Sequence, residues 1–273
     1  MIVDGRALAS EILADVARRA KALRRAPVVR ALVIAPSPAT ESYLKIKKAR
    51  AQEAGMTLEE VVLPDTATTE DAVAALRAPG ADAVIAQLPL PEHIDTTAVL
   101  DAIPRAKDAD VLSRAARAVF EAGEDGALMP PVAAAVMHVL AHAGVPVSGK
   151  RAAVIGAGWL VGGPVIISLR NAGALVTVVT KEEGSLEGAL RDADIVVSGT
   201  GVAGLIRPEL LKKGVALIDA GTAGLGAKVV GDALPACADV ASVFTPVPGG
   251  VGPVAVACLY ENAIELLERK PVA

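Results

Sequence analysis

Residues 154–164 read VIGAGWLVGGP, and this stretch decides the fold that the rest of the sequence must accommodate. A β-branched run leads into Gly156, Ala157 and Gly158, and apolar periodicity typical of a helix follows. Gly156 permits a tight turn, Gly158 lets a pyrophosphate approach the backbone, and the N-terminus of the helix supplies partial positive charge. The stretch therefore predicts the strand–turn–helix unit of a dinucleotide-binding domain.

The spacing of this turn departs from the strict G-x-G-x-x-G pattern. Val161 stands where the third glycine is expected, and Gly162 follows it. In its context, after a predicted strand and before a helix that begins near Leu160, the match still favours nucleotide binding. A glycine-rich turn without a ligand stays open as the alternative. Trp159, the single tryptophan, follows Gly158 and would pack on the cofactor or on another part of the chain.

Short β-branched runs alternate with longer, alanine-rich amphipathic stretches along the whole chain. Strands are predicted at 28–35, 56–63, 81–88, 151–156, 174–180, 193–199, 214–221 and 241–245. Helices are predicted at 5–24, 40–54, 69–77, 95–102, 131–144, 160–171, 185–191 and 253–268. This alternation, with near-continuous apolar strands, predicts an α/β fold of parallel sheets covered by helices on both faces.

A change of composition at 121–131, EAGEDGALMPP, predicts a domain junction, because turn residues, acids and a proline pair precede a helix there. We expect a first domain at 1–126 and a Rossmann-type dinucleotide-binding domain at 127–252. The stretch TPVPGGVGP, 245–253, combines fixed and freely rotating backbone positions into a rigid loop. It would redirect the chain so that the last helix, within 253–273, packs back on the first domain.

The composition narrows the class of protein. Hydrophobic residues make up 53% of the chain, but no apolar run approaches the ~18 residues that a membrane span needs. A net charge of −4 and 2% aromatic residues argue against nucleic-acid binding, which uses basic patches or stacking platforms. The N-terminus has no basic segment before an apolar one, so we expect no signal peptide. Cys237 and Cys258 lack a disulfide or metal spacing and are expected to be buried thiols of a cytoplasmic protein.

Several polar residues stand at positions where they could carry chemistry. Tyr43 and Lys47 are four residues apart on a predicted helix and share a face, which suits a general acid/base lysine as well as a solvated surface pair. Gln87 ends a predicted strand in QLPLP, at the edge where open α/β sheets bind ligands. His138 and His142 share a helix face, but no third ligand is near in the sequence, so no metal site is predicted.

The end of the second predicted strand of the nucleotide-binding domain bears on the choice of nucleotide. ALVTVVT, 174–180, is followed by Lys181, Glu182 and Glu183. A cation at this position accommodates the 2′-phosphate of NADP, whereas an acid bonds the ribose hydroxyls of NAD. Because Lys181 comes first we predict NADP, and Glu182 keeps NAD open.

Several motifs occur in a fixed order along the chain. They are Tyr43-x-x-x-Lys47, QLPLP (87–91), the KD of 107–108, the glycine-rich turn, VVGD (229–232) and TPVPGGVGP (245–253). In this order they resemble the bifunctional methylenetetrahydrofolate dehydrogenase/cyclohydrolase family, from DGRALA (4–9) to CLYEN (258–262).

The resemblance implies a fold and a function. The fold is a two-domain protein with folate in a cleft between the domains and NADP on the C-terminal domain. The function is oxidation of 5,10-methylenetetrahydrofolate to 5,10-methenyltetrahydrofolate, followed by hydrolysis to 10-formyltetrahydrofolate, in one-carbon metabolism and purine biosynthesis. The family also implies a cytoplasmic homodimer whose partners are tetrahydrofolate derivatives.

The resemblance assigns roles to the polar residues of the first domain. Lys47 would be the general acid/base, and Tyr43 would pack against the aromatic part of the folate and orient the lysine. Gln87 would hydrogen-bond Lys47 and hold its productive protonation state. Asp108 would accept hydrogen bonds from the amino and N–H groups of the pterin ring. Further substrate contacts are implied at Leu88, Pro89, Pro248, Gly249 and Gly250.

For the nucleotide, the resemblance implies binding positions in the glycine-rich turn and at the ends of neighbouring strands. These positions are Gly156, Ala157, Gly158, Trp159, Val161, Gly162, Lys181, Thr200, Gly201 and Thr222.

Three segments depart from the family pattern. KDADVL (107–112) has Val111 and Leu112 where the family has Gly and Phe, and LMPP (128–131) lacks the Cys and Thr of the usual PCTP. In the nucleotide-binding domain, Gly158 replaces a usual Ser, and Thr180 and Lys181 replace a frequent His and Ser. These changes keep two alternatives open: a dehydrogenase without the hydrolytic step, and a non-catalytic dimer that binds folate or nucleotide. Retention of Lys47 and Gln87 favours the bifunctional enzyme.

Overall fold

The computed structural model describes residues 1–225 and 228–269, and the chain divides into two compact units. One unit contains Met1–Ala9 and Val132–Ala255 and carries a five-stranded sheet. The other contains Ser10–Pro131 and the chain from Val256 onward and carries a three-stranded sheet. We refer to them as the five-stranded unit and the three-stranded unit. The predicted domain limits, 1–126 and 127–252, stay a prediction.

Two helices cross the division between the units. Helix α1, Gly5–Ala20, begins in the five-stranded unit, as does the last helix, whose second half belongs to the three-stranded unit. The sheet of the three-stranded unit is parallel, in the order β2-β1-β3, with β1 at Val28–Ile34, β2 at Thr57–Leu63 and β3 at Ala83–Ala86. Its helices are α2 at Pro38–Glu53, α3 at Thr69–Arg77, α4 at Thr96–Asp101 and α5 at Arg114–Glu121.

Local sequence sets the limits of these elements. The central strand β1 is apolar and buried along almost its whole length, as a parallel strand covered on both faces should be. Four helices begin at side chains that accept a hydrogen bond from a backbone N–H of the first turn: Ser37, Thr68, Asp95 and Ser113. Such caps satisfy donors that the first turn of a helix leaves unpaired.

The five-stranded unit has a parallel sheet in the order β10-β7-β6-β4-β5. Its strands are β4 at Arg151–Ile155, β5 at Leu175–Val179, β6 at Ile195–Ser198, β7 at Ala216–Asp219 and β10 at Val243–Phe244. The helices are α6 at Pro131–His142, α7 at Gly162–Asn171 and α8 at Leu186–Asp192, and the last helix, α9 at Val251–Glu268, contributes only Val251–Ala255 to this unit. Because β5 and β6 flank β4, the chain reverses direction across the sheet there, and such a reversal opens a crevice at the carboxyl ends of the strands.

Each predicted strand and helix contains or overlaps an observed element of the same type, which confirms the α/β class. The sequence analysis did not predict α5, nor the antiparallel hairpin of β8, Ala223–Leu225, and β9, Lys228–Val230. Helix α5 has only eight residues, which is too short for a clear helical pattern in the sequence. Within the described residues, no helix combines the length and apolarity that crossing a bilayer requires. Cys237 and Cys258 are buried and free, as predicted.

Candidate active site

The first candidate site lies in the three-stranded unit and is built around Lys47. The lysine is on α2, and Gln87 directly follows β3. The Lys47 Nζ donates a hydrogen bond to the Gln87 Oε1 at 2.8 Å. This contact is the one that the family resemblance implies.

Gln87 is held so that its amide oxygen faces the lysine. Its backbone N–H donates to the carbonyl of Leu32 at 2.9 Å, which extends the pairing of β3 with β1. Its Nε2 donates to the carbonyl of Leu88 at 3.0 Å. Since the amide nitrogen is engaged there, the amide oxygen is the atom available to accept from Lys47. Leu88 and Pro89, two predicted substrate contacts, are joined by a cis peptide bond next to this pair.

The environment of Lys47 favours its neutral form. Burial lowers the pKa of Lys47, and the negative charge of Asp110 opposes this shift. Burial raises the pKa of Asp110, and the positive charge of Lys47 acts in the opposite direction. The charge of each group therefore affects the pKa of the other. A lowered pKa makes the neutral amine more accessible, and a general base needs the neutral amine to accept a proton.

Asp108 is buried and its carboxylate is bonded within the protein, while its predicted contact with the pterin stays a prediction. Its side chain is 0% exposed. One carboxylate oxygen accepts from the backbone N–H of Leu112 at 3.1 Å, and the other accepts from the N–H and Oγ of Ser113 at 2.8 and 2.7 Å. Asp108 thus fixes the loop that follows it. Asp110 is partly exposed, and the positive charge of Lys47 acts on its pKa.

The loop that presents Asp110 is held from several sides. The Nε of the buried Arg117 donates to the carbonyl of Val111 at 2.7 Å, and the Nδ2 of Asn262 donates to the carbonyl of Ala109 at 2.9 Å. Val111 has a φ of +55°, a conformation that suits glycine better than a β-branched side chain. A glycine would adopt this conformation without strain, whereas Val111 adopts it at a cost in strain.

Helix α9 supplies two positioning contacts that the sequence analysis did not identify. The Tyr260 hydroxyl donates to the backbone carbonyl of Lys47 at 2.7 Å. Asn262 donates to the carbonyl of Met129 at 2.9 Å in addition to that of Ala109. Both side chains are buried, so one helix is tied to the segments that carry Lys47 and Asp110. The CLYEN stretch was part of the resemblance, but nothing in its spacing indicates these partners.

Tyr43 lies one helical turn before Lys47 and remains 49% exposed. An exposed aromatic ring one turn from the acid/base lysine is suitably placed to stack on a planar ligand. Its packing against folate stays a prediction.

The second candidate site is the glycine-rich turn of the five-stranded unit. Gly156 has a φ of +87°, and its N–H donates to the carbonyl of Val179 at 2.8 Å, which joins the turn to the end of β5. A Cβ at Gly162 would lie 1.9 Å from the carbonyl oxygen of Gly156, so glycine is required for α7 to approach the turn. Nothing lies within 4 Å of a Cβ built at Gly158, which leaves open space beside the backbone there.

The structure shows which glycine takes the third position of this motif. Helix α7 begins at Gly162 rather than near residue 160, and Gly162 takes the close-approach role of the third glycine. Val161 is the residue that precedes the helix, and a Cβ at Gly199 would lie 2.4 Å from its Cγ1. Val161 therefore packs against the loop after β6. Trp159 is 46% exposed on the turn.

The loop after β6 forms the opposite side of the crevice. A Cβ at Gly156 would lie 3.2 Å from the Cγ2 of Thr200, so the turn and this loop are in close contact. Gly201 has a φ of +70°, and its Cβ position is 3.3 Å from the carbonyl oxygen of Thr222. The structure thus brings together the predicted nucleotide positions Gly156, Thr200, Gly201 and Thr222.

The end of β5 carries the predicted nucleotide-selecting residues. The Thr180 Oγ1 accepts from the backbone N–H groups of Glu182 and Glu183 at 3.2 and 3.1 Å, which fixes the loop. Lys181 and Glu182 are both exposed. The side chains of Lys181 and Glu182 are therefore accessible at the strand end where a protein contacts the 2′-position of a bound nucleotide.

The TPVPGGVGP loop is held by internal hydrogen bonds and by close packing, and its predicted rigidity stays a prediction. The Thr245 Oγ1 accepts from the N–H of Asp219 at 2.7 Å, and the N–H of Gly250 donates to the carbonyl of Pro246 at 2.7 Å. A Cβ at Gly5 would lie 1.8 Å from the carbonyl oxygen of Gly250, so the start of α1 packs directly on the loop. The predicted substrate contacts at Pro248, Gly249 and Gly250, and the predicted cleft between domains, stay predictions.

Taken together, these features define a class: a two-domain α/β protein with a glycine-rich strand–turn–helix unit in one domain and a lysine–glutamine pair in the other. Residues 3–110 match the catalytic domain of the tetrahydrofolate dehydrogenase/cyclohydrolase family, and residues 130–271 match its NAD(P)-binding domain. The chain belongs to this family. The predicted family is confirmed, and with it the dehydrogenase and cyclohydrolase activities and the NAD(P)-binding domain that its descriptions name.

Individual relatives resemble the chain over nearly its whole length. The Bifunctional protein FolD of Anaeromyxobacter dehalogenans is 37% identical over 277 residues, which cover 98% of each chain. The structure of FolD from Campylobacter jejuni, a methylenetetrahydrofolate dehydrogenase/cyclohydrolase, has a TM-score of 0.94 at 29% identity and covers 99% of each chain. That of the Trypanosoma brucei enzyme, complexed with NADP cofactor and inhibitor, has a TM-score of 0.93 at 34% identity, with 100% of this chain and 99% of that chain covered.

Proposed function

We propose that this protein oxidises 5,10-methylenetetrahydrofolate with NADP and hydrolyses the resulting 5,10-methenyltetrahydrofolate to 10-formyltetrahydrofolate. The observation that carries the proposal is the 2.8 Å hydrogen bond from Lys47 Nζ to Gln87 Oε1 in a site that lowers the pKa of the lysine. A dehydrogenase alone needs a positioned substrate and a nucleotide, whereas hydrolysis also needs a proton carrier.

Lys47 supplies that proton carrier. Water adds to the cationic methenyl carbon and loses one proton to neutral Lys47. As the adduct collapses, a C–N bond breaks and the lysine returns the proton to the departing nitrogen. The second proton of the water leaves to solvent, which balances the positive charge of the substrate. Gln87 holds the amine in place without adding a charge that would keep it protonated.

Asp110 takes the role that the resemblance gave to Asp108. It is the carboxylate that is both partly exposed and electrostatically coupled to Lys47. A carboxylate suits the planar edge of amino and N–H donors on a pterin ring. Tyr43, Leu88 and Pro89 lie close to Lys47 or Gln87 in the chain and would contact the rest of the substrate.

The residues of the five-stranded unit fit NADP. Gly156 and Gly162 let α7 begin close to the turn, Gly158 leaves open space, and the loop at Thr200 closes the other side. A pyrophosphate would lie on these backbone amides, with Lys181 beside the 2′-phosphate. When bound, NADP supplies the hydride acceptor for the first reaction.

The proposal extends to the cellular setting. We infer a cytoplasmic homodimer that provides 10-formyltetrahydrofolate for purine biosynthesis. The support for these statements is the family resemblance.

The test uses the purified wild-type protein with 5,10-methylenetetrahydrofolate and either NADP or NAD. Reduced nucleotide and the methenyl species are followed together by absorbance. The proposal predicts reduced nucleotide, with NADP preferred, and methenyl levels below those that spontaneous hydrolysis leaves. Accumulated methenyl product would instead indicate a dehydrogenase without the hydrolytic step. Absence of turnover with both nucleotides would refute the proposal.

A further inference from the structure

Two buried carboxylates lie at the ends of strands in the five-stranded unit, and the proposed chemistry uses neither. Asp219 is the last residue of β7, and Asp232 follows the hairpin of β8 and β9. Asp219 is 1% exposed and Asp232 is 0% exposed. Buried carboxylates are costly unless donors satisfy them, so each needs a structural or functional reason.

Asp232 has four donors, and all of them come from the strand end and loop of residues 198–202. Its Oδ2 accepts from the Ser198 Oγ at 2.5 Å, the Thr200 N–H at 2.7 Å and the Thr200 Oγ1 at 2.9 Å. Its Oδ1 accepts from the Val202 N–H at 2.9 Å. The Asp232 side chain therefore holds three residues of this segment, Ser198, Thr200 and Val202.

The surrounding backbone is shaped around this carboxylate. A Cβ at Gly221 would lie 2.2 Å from both the Cγ and the Oδ1 of Asp232. Only a glycine at this position leaves the space that the carboxylate occupies. The aspartate of the VVGD motif, Asp232, thus occupies a space that Gly221 leaves for it.

The loop that Asp232 holds is the wall of the nucleotide crevice opposite the glycine-rich turn. Thr200 contacts the Cβ position of Gly156, and Gly201 contacts the carbonyl of Thr222. The N–H groups of Thr200 and Val202 are bonded to Asp232, so they are not available to a nucleotide. The carboxylate thereby decides which backbone groups of the loop can face the crevice.

We propose that Asp232 is a positioning residue for nucleotide binding: it holds residues 200–202 in the shape that receives NADP. This inference rests on the proposed function, because it takes the crevice between Gly156 and Thr200 as the NADP site. Asp232 itself does not touch the nucleotide. Its loss should therefore weaken NADP binding while leaving the nucleotide-independent hydrolysis at Lys47 intact.

The primary test compares Asp232→Asn with wild type and with Asp194→Asn. Asp194 is a matched control, since it accepts from the N–H of Arg151 at the opposite end of β6. NADP affinity is measured by calorimetry, and hydrolysis of 5,10-methenyltetrahydrofolate is measured without nucleotide. We expect Asp232→Asn to weaken NADP binding at least about tenfold while hydrolysis stays within about twofold of wild type. Asp194→Asn should change neither.

Each other outcome has a defined meaning. Equal NADP affinity in wild type and Asp232→Asn would overturn the inference, and so would a parallel loss of binding and hydrolysis. If Asp232→Asn gives no folded protein, Ser198→Ala decides, because it removes one donor and keeps the carboxylate. An NADP affinity at least about threefold weaker is then expected, and an unchanged affinity overturns the inference. Wild type that fails to bind NADP would overturn the proposed function itself.

Discussion

Replacing Gln87 by Glu tests whether Lys47 must be held without a neighbouring charge. The amide oxygen of Gln87 accepts from Lys47 Nζ at 2.8 Å. A carboxylate oxygen of Glu has nearly the same position and reach. The substitution therefore exchanges a neutral partner for an anionic one, and it also removes the Nε2 donor to the carbonyl of Leu88, which Gln87→Met removes as well.

The size of the effect follows from this distance. Two unit charges at 2.8 Å attract by about 6 kcal/mol at an effective dielectric constant of about 20. Desolvation of the second charge offsets part of this energy. The remainder raises the pKa of Lys47 in the variant and so reduces the fraction of neutral amine. We expect the hydrolysis kcat to fall about 100-fold at pH 7 and to recover partly as the pH rises.

The assay follows hydrolysis of 5,10-methenyltetrahydrofolate in Gln87→Glu, Gln87→Met and wild type as a function of pH. Gln87→Met removes the hydrogen bond without adding a charge, so it should lose activity with no alkaline shift of the profile. NADP affinity should be unchanged in both variants. Near-wild-type hydrolysis by Gln87→Glu, or a profile identical to that of Gln87→Met, would refute the reasoning.

Three further predictions concern other parts of the molecule. Asn262→Leu leaves two backbone carbonyls without their donor. It should lower the free energy of unfolding by about 2 kcal/mol, measured by urea denaturation, and raise the KM for the folate substrate, measured by steady-state kinetics. An unchanged KM would contradict this prediction. Burial raises the pKa of Asp219 from 3.8 to about 6, so its contribution favours folding below pH 3.8 and is lost as the pH rises through 6. From pH 4.5 to 7.5 the wild type should lose about 2 kcal/mol more stability than Asp219→Asn, and parallel curves in urea would show the assignment to be wrong. Lys181→Ala should reduce the ratio of kcat/KM for NADP over NAD about fivefold and Glu182→Ala should raise it, whereas equal ratios would remove both residues from nucleotide selection.

The sequence predicted the strands and helices well because burial on both faces of a parallel sheet leaves a strong apolar pattern. It did not predict α5, which has only eight residues and whose buried Arg117 donates to the carbonyl of Val111 in the loop of Asp110. The hairpin of β8 and β9 was missed as well, and its strands have three residues each, too few to show alternation.

The candidate site was predicted in part. Spacing placed Tyr43 and Lys47 on one helix face and Gln87 at a strand end, but the contact between Lys47 and Gln87 was implied only by the family resemblance. The choice between Asp108 and Asp110 needed the structure, because the two carboxylates are only two residues apart in the sequence. The structure shows that Asp108 is hydrogen-bonded within its own loop, whereas Asp110 interacts electrostatically with Lys47. The contribution of Tyr260 likewise depends on a contact between residues 213 positions apart.

The measurement that tests the account most directly is the hydrolysis of 5,10-methenyltetrahydrofolate by Lys47→Met, with Lys45→Met as control. Lys45 is exposed on the same helix, so its replacement removes the same charge away from Gln87. Lys47→Met should lose hydrolysis by at least about 100-fold and still bind folate and NADP, while Lys45→Met should match the wild type. Hydrolysis by Lys47→Met at the wild-type rate would show that Lys47 is not the proton carrier.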